Sequence, residues 1–309
     1  MEASITLKEV AKMYDNQMLL ADLTFGIKQG SNFIILGKNG SGKSTILKII
    51  SGIVKVDNGM VYINGKDIDT RASDVQRHIG YSPQAPSLDS NLSLYQNIDL
   101  YARLYGIDSN EIVDKATDWL AFFNISQYKN KYPADVSFGV RKIISFIRSV
   151  IHMPDILVLD EPTMGLEPNQ KMRVWESIDR HFINKTVLFT SQDFAEAEHH
   201  ADQIAILHNG NIKITGTLDN LIQTTRGITK YSLSFKVPPG EELINSIQSM
   251  PRIIKPRFSG LELEFLTRDR QDFFQVLKLA IETGLKDMDT GLSTLRDLFV
   301  GYISDEESE

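Results

Sequence analysis

Residues 37–45 read GKNGSGKST. The stretch matches the pattern G-x-x-x-x-G-K-[ST] in full, and its flanks supply the context that the pattern needs. Before it comes NFIILG, residues 32–37, a continuous apolar run of the kind that buried parallel strands show. After it comes STILKIISG, residues 44–52, with the spacing of an amphipathic helix. Gly40 and Gly42 allow backbone angles that turn successive N–H groups inward around Asn39 and Ser41, which makes an anion-binding nest starting at Gly37. The N-terminus of the helix adds a favourable dipole. Lys43 is placed to reach β- and γ-phosphates, and Ser44, followed by Thr45, offers a hydroxyl to Mg²⁺. The loop therefore predicts a nucleoside triphosphate bound with magnesium.

A triphosphate loop needs a partner that holds the metal and a group that activates water. ILVLDE, residues 156–161, is another buried strand, and it ends in two acids. Asp160 can hold Mg²⁺ through water. Glu161, directly after it, can orient and deprotonate an attacking water as general base. EPT follows, and no other acidic pair in the chain ends a strand in this way.

The rest of the chain extends this βα pattern. Residues 1–30 alternate short β-like runs with polar turns; DNGMVYING and HNGNIKITG share hairpin chemistry. Residues 90–150 space apolar residues by three and four and predict an inserted helical lobe. The parallel sheet resumes with DILVLD, TVLFTS and QIAILHNG. The pattern breaks near residues 224–230. Beyond it, the order strand, helix, two strands and helix predicts a small α+β domain over 225–304, with an acidic tail at 305–309. Phe258, Phe265, Phe273 and Phe274 are expected to fill its core, as Trp119, Phe122 and Phe123 do in the helical lobe. His199-His200 reads as a solvated helix face, because adjacent helical residues point about 100° apart.

Bulk properties remove several classes. The chain has 309 residues, 42% hydrophobic and 24% charged, which fits one large or two ordinary globular domains. Its net charge of −7, with no basic face, argues against nucleic acid. There are no cysteines, so disulfides and thiolate zinc sites are excluded and an intracellular location is compatible. MEASITLKEV is not a signal peptide, and no apolar run approaches the roughly 20 residues that cross a bilayer.

With these motifs in this order, residues 4–224 resemble the ATPase subunits of ATP-binding cassette (ABC) transporters. The resemblance implies a P-loop NTPase of ABC type, with a parallel-sheet core, an antiparallel β subdomain and an inserted helical subdomain, spanning 1–224. It implies that Tyr14 stacks on adenine. It implies that Gln84, in GYSPQ, contacts Mg²⁺ or water and senses the transmembrane partner, and that EPTMGLEP is the loop where two subunits touch. The family works as a dimer, each ATP lying between one subunit's phosphate loop and the other's signature segment.

Three positions depart from the family pattern. The signature, normally LSGGQ, is Val136-Ser137-Phe138-Gly139-Val140. Ser137 and Gly139 remain to meet a γ-phosphate; Phe138 adds bulk beside it, and Val140 removes a polar side chain. Glu167 stands where aspartate is usual. Gln192, after TVLFTS, occupies the place of the switch histidine that bonds the γ-phosphate. An amide donates but cannot become cationic, and charge-assisted bonds are about twice as strong. Slow hydrolysis is expected.

The resemblance implies ATP hydrolysis to ADP and phosphate. The implied partners are a second ABC ATPase subunit, identical or homologous, and a separate permease at the cytoplasmic face of the membrane. The cargo would be a small molecule, lipid, peptide or ion, moved outward, as in bacterial exporters with a short α+β extension; the extension would regulate or stabilise the dimer. Two other readings stay open: a nucleotide-gated module with little hydrolysis, and an ABC ATPase with no transporter.

Overall fold

The computed structural model describes residues 3–70, 72–224, 229–267, 269–291, 294–296 and 299. The chain forms two compact units, Met1–Ile214 and Thr215–Glu309. The division falls ahead of the 224/225 boundary expected from the sequence, and the acidic tail lies outside the described residues.

The first unit opens with β1 (Ala3–Tyr14) and β2 (Gln17–Lys28), paired antiparallel through a two-residue turn, Asp15-Asn16, in which both residues take positive φ. Such turns match the twist of the flanking strands. Then come β3 (Asn32–Leu36), α1 (Lys43–Ile50), β4 (Asn58–Ile63), β5 (Lys66–Asp67), α2 (Ala72–Gln76) and β6 (Ile79–Ser82). β4 and β5 form a second such hairpin, giving the antiparallel sheet β2-β1-β4-β5. The helical segment holds α3 (Leu94–Leu104), α4 (Ser109–Phe122) and α5 (Phe138–Val150). A full capping box at Ser93 and Gln96 starts α3, and Asp108 caps α4.

After this insertion the sheet resumes with β7 (Ile156–Leu159), α6 (Pro168–His181), β8 (Thr186–Ser191), α7 (Phe194–His200), β9 (Gln203–His208) and β10 (Asn211–Gly216). The order is β10-β9-β3-β8-β7-β6, parallel from β9 to β6. β3, β7 and β8 are buried on both faces, which is why they read as unbroken apolar runs. Ile46, Leu47, Ile49 and Ile50 of α1 join residues of both sheets in one core, so the helix behind the phosphate loop is fixed from both sides.

The second unit contains α8 (Leu218–Thr224), β11 (Thr229–Phe235), α9 (Glu241–Gln248), β12 (Ile253–Ser259), β13 (Glu262–Thr267), α10 (Arg270–Glu282) and β14 (Leu285–Gly291). Its sheet runs β12-β13-β11-β14, antiparallel throughout, a split β-α-β arrangement. Tyr231 stacks between Phe265 and Phe273, at 5.5 and 3.9 Å. Phe258 is half-buried against this core, but Phe274 is 61% exposed, which corrects its expected core position. α10 turns Phe273 inward and so points its chain neighbour away.

Candidate functional site

The parallel order brings the carboxyl ends of β3, β8, β7 and β6 side by side. Leu36 pairs with Ser191, Leu159 with Phe189, and Ser82 with Leu159. The residues just beyond, Gly37, Gln192, Asp160-Glu161 and Gln84, therefore emerge along one sheet edge, the place where open α/β sheets bind ligands.

The phosphate loop begins at Gly37, which is buried, and exposes Lys38, Asn39 and Gly40. Gly42 is the N-cap of α1, with φ of 105°, and a Cβ there would lie 2.5 Å from Leu20 Cδ2. Only glycine fits, and it supplies no side chain to cap the helix. The N–H groups of the first turn are thus left for an outside acceptor. Lys43 is buried, and its Nζ donates to the carbonyls of Gly37 at 2.7 Å and Lys38 at 3.1 Å. Burial lowers its pKa, opposed by the charges of Glu161 and Asp160. Ser41 is buried, while Ser44 and Thr45 are half-buried at the start of the helix. A cradle of uncapped amides with an ammonium in it, facing two carboxylates, fits a polyphosphate with a divalent cation.

Asp160 is 2% exposed and Glu161 6%. Thr190, at the end of β8, fixes both. Its Oγ1 donates to Asp160 Oδ1 at 2.8 Å and accepts the Glu161 N–H at 2.9 Å. Glu161 holds a left-handed backbone, φ 45°, unusual for glutamate. Its carboxylate is gripped from two sides: Gln192 Nε2 donates to Oε1 at 2.7 Å, and Gln84 Nε2 donates to Oε2 at 3.3 Å. Gln192 is thus in contact with the candidate base. Beyond it, Glu196 of α7 accepts from Ser191 Oγ at 2.6 Å and from Thr163, which ties the EPT segment to the end of β8.

Ser137 is exposed and caps α5, accepting the Val140 N–H at 3.4 Å. Gly139 is buried against the Gln170 carboxamide, and Val140 is buried as well. The Phe138 ring lies over Gly165 of the EPTMGLEP loop, where a Cβ would come within 2.8 Å of Cε1. The signature and the contact loop are therefore packed on each other. Tyr14 ends β1 with 45% exposure, and the Lys12 ammonium lies 5.4 Å from its ring centre.

Two residues at this site went unread in the sequence. Thr190 lies within the apolar run TVLFTS, where a buried threonine level with the two acids is the signal that points to it. Lys142 of α5 is 1% exposed, and its Nζ donates to the carbonyl of Gln84 at 2.5 Å. Burial lowers its pKa to about 8, against the raising influence of Asp160 and Glu161. The helical periodicity that makes α5 readable gives no sign of a cation inside. Elsewhere, His200 is not simply solvated: it stacks on Trp175 at 4.0 Å. No cluster of three or more histidines, aspartates or glutamates that could hold a metal ion occurs among the described residues, and none of their helices is long and apolar enough to cross a membrane.

Comparison with known proteins gives a consistent set. A family model described as ABC transporter matches residues 20–164. Nod factor export ATP-binding protein I of Burkholderia thailandensis is 30% identical over 226 residues, covering 73% of this chain and 74% of that protein. Daunorubicin resistance ATP-binding protein DrrA3 of Streptomyces coeruleorubidus is 32% identical over 228 residues, covering 73% and 72%. Among solved structures, a dimeric ATP-binding cassette in a post-hydrolysis state with ADP and phosphate superposes with a TM-score of 0.64 at 25% identity, over 69% of this chain and 98% of that one.

Proposed function

Because this chain belongs to the ABC transporter family as an ATP-binding, ATP-hydrolysing subunit, we propose that it works at the cytoplasmic face of a membrane. There it would drive a separate permease through ATP-dependent closure with a second ATPase subunit. The observation that carries the reading is the meeting of the phosphate loop, Asp160-Glu161, Gln84 and Gln192 at adjacent strand ends. Relatives named for export and drug resistance support outward transport.

In this reading the α1 N-terminus and the loop amides of residues 37–45 hold the phosphates, and Lys43 turns its ammonium to them. Tyr14 stacks on the adenine. Ser44, Asp160 and Gln84 would hold Mg²⁺, which would neutralise charge on the phosphate oxygens. Glu161 takes the proton of the attacking water, and its left-handed backbone and bond to Thr190 set its direction. Gln192 spans from Glu161 toward the γ-phosphate and donates to it with a neutral amide. Ser137 and Gly139 serve the ATP held by the partner subunit. Hydrolysis is slow, because Gln192 lacks the charge of a protonated histidine and Phe138 narrows the signature surface. The second unit regulates or stabilises the dimer.

Both carboxylate oxygens of Glu161 are engaged by amides, which keeps a second reading in play: a nucleotide-gated module with little turnover. The test is to recover the tagged chain at natural expression levels and assay what accompanies it. Co-purification with a membrane-spanning protein and MgATP-dependent phosphate release supports the transporter reading. Recovery without any membrane partner, with hydrolysis intact, would overturn it in favour of a non-transport ATPase.

A further inference from the structure

Lys142 is among the largest fully buried side chains of the described residues and is 1% exposed. Burying an ammonium costs several kcal/mol unless its donors are satisfied. Here three backbone carbonyls take them: Gln84 at 2.5 Å, Pro83 at 3.4 Å and Asp160 at 3.5 Å. An ammonium has three N–H donors, so the set is complete. These carbonyls belong to the chain leaving β6 and the chain leaving β7, which are already joined by the Asp160 N–H bond to Ser82 at 2.9 Å. Lys142 itself belongs to α5, the helix that Ser137 caps in the signature. One cation therefore joins the signature helix to the two strand exits that carry Gln84 and Asp160.

We propose that Lys142 is a positioning residue, holding the backbone of Gln84 and Asp160 at a fixed place against α5 so that their side chains meet the magnesium and the attacking water in register. The proposal rests on the assignment of Gln84 and Asp160 to the metal given above. Lys142 does not touch the nucleotide, because its donors face carbonyls. Its effect is geometric, and a misplacement of about 1 Å near reacting groups can cost about 10²-fold in rate. It also makes the position of Gln84 depend on where α5 sits, so a shift of the helical lobe is carried to the strand ends through a charged hydrogen bond.

The test compares Lys142→Met, which keeps length and removes the donors, with Lys142→Gln, which keeps a donor. Both are studied in the assembled complex beside wild type and Glu161→Gln. The expected result for Lys142→Met is a folded complex with kcat lowered by about 10- to 100-fold. ATP affinity without magnesium should stay within about threefold, and the magnesium concentration for half-maximal rate should rise, with Lys142→Gln intermediate in both. Unchanged kcat and magnesium dependence in a folded Lys142→Met complex would overturn the proposal. So would a rate loss fully reversed by assaying further below the variant's melting temperature, or failure of both variants to fold, since each makes the residue structural only. Should Glu161→Gln hydrolyse like wild type, the catalytic reading fails, and the magnesium comparison still decides the role of Lys142.

Discussion

Gln84 and Gln192 approach Glu161 from the ends of different strands and bond opposite oxygens of its carboxylate. Neutral amides orient a carboxylate without adding charge, so the base is aimed but weakly supported. A histidine at position 192 could donate as a cation, and charge-assisted bonds are about twice as strong. Loss of one transition-state donor costs about 10²–10³ in other enzymes, and an amide is a partial replacement. In the assembled complex, Gln192→His is therefore expected to raise ATP turnover several-fold, measured as steady-state phosphate release; an unchanged or lower rate counts against the assignment. The place of Gln192 at the exit of β8 was legible in the sequence. Its bond to Glu161 was not, because the two lie 31 positions apart and meet only through the parallel register.

At the scale of elements, packing between the signature and the contact loop depends on a residue without a side chain. Gly165 has φ of 76°, and an added Cβ would press on the Phe138 ring. Forcing alanine into this conformation costs about 1–2 kcal/mol before any contact with the ring. Gly165→Ala should lower the melting temperature by about 2–8 °C. Phe138→Ala in the same chain should return part of that loss, because it removes the ring but not the backbone strain.

A second element contact responds to pH. His152, just past α5, stacks face to face on Tyr105 at the end of α3, 3.6 Å apart. Burial pushes its pKa down to about 4, and the nearby charge of Lys115 adds to this. The unfolded chain takes up the proton first, near the ordinary value of about 6.5. The stability from the neutral ring is thus full above about pH 6.5 and is lost as pH falls from there toward 4. Melting curves at pH 7.5 and pH 5 should show a smaller acid loss for His152→Phe than for wild type; equal losses would contradict this.

Elements were legible where burial dictates sequence. β3, β7 and β8 are covered on both faces and read as apolar runs. β14 was missed: it is an edge strand of the second unit, with Asp287, Met288 and Asp289 exposed. Charge on an edge discourages pairing with other chains, and it also hides the strand from hydrophobic pattern.

For the whole molecule, the sequence carried the cassette architecture because its motifs occur in chain order at the strand ends. The second unit was legible only as α+β, since a split β-α-β sheet has no motif of its own, only alternation. Lys142 shows the limit from the other side. A cation in the most buried helix is invisible to periodicity, and only the fold reveals that it faces carbonyls of two strand exits.

The central claim is that this chain hydrolyses ATP through Glu161, between a phosphate loop and a magnesium held by Asp160. The most direct measurement is single-turnover phosphate release from the purified complex with MgATP, wild type against Glu161→Gln. General-base removal should lower the rate by about 10²–10⁴ while the variant still binds ATP. A variant that releases phosphate within about threefold of wild type would contradict the account.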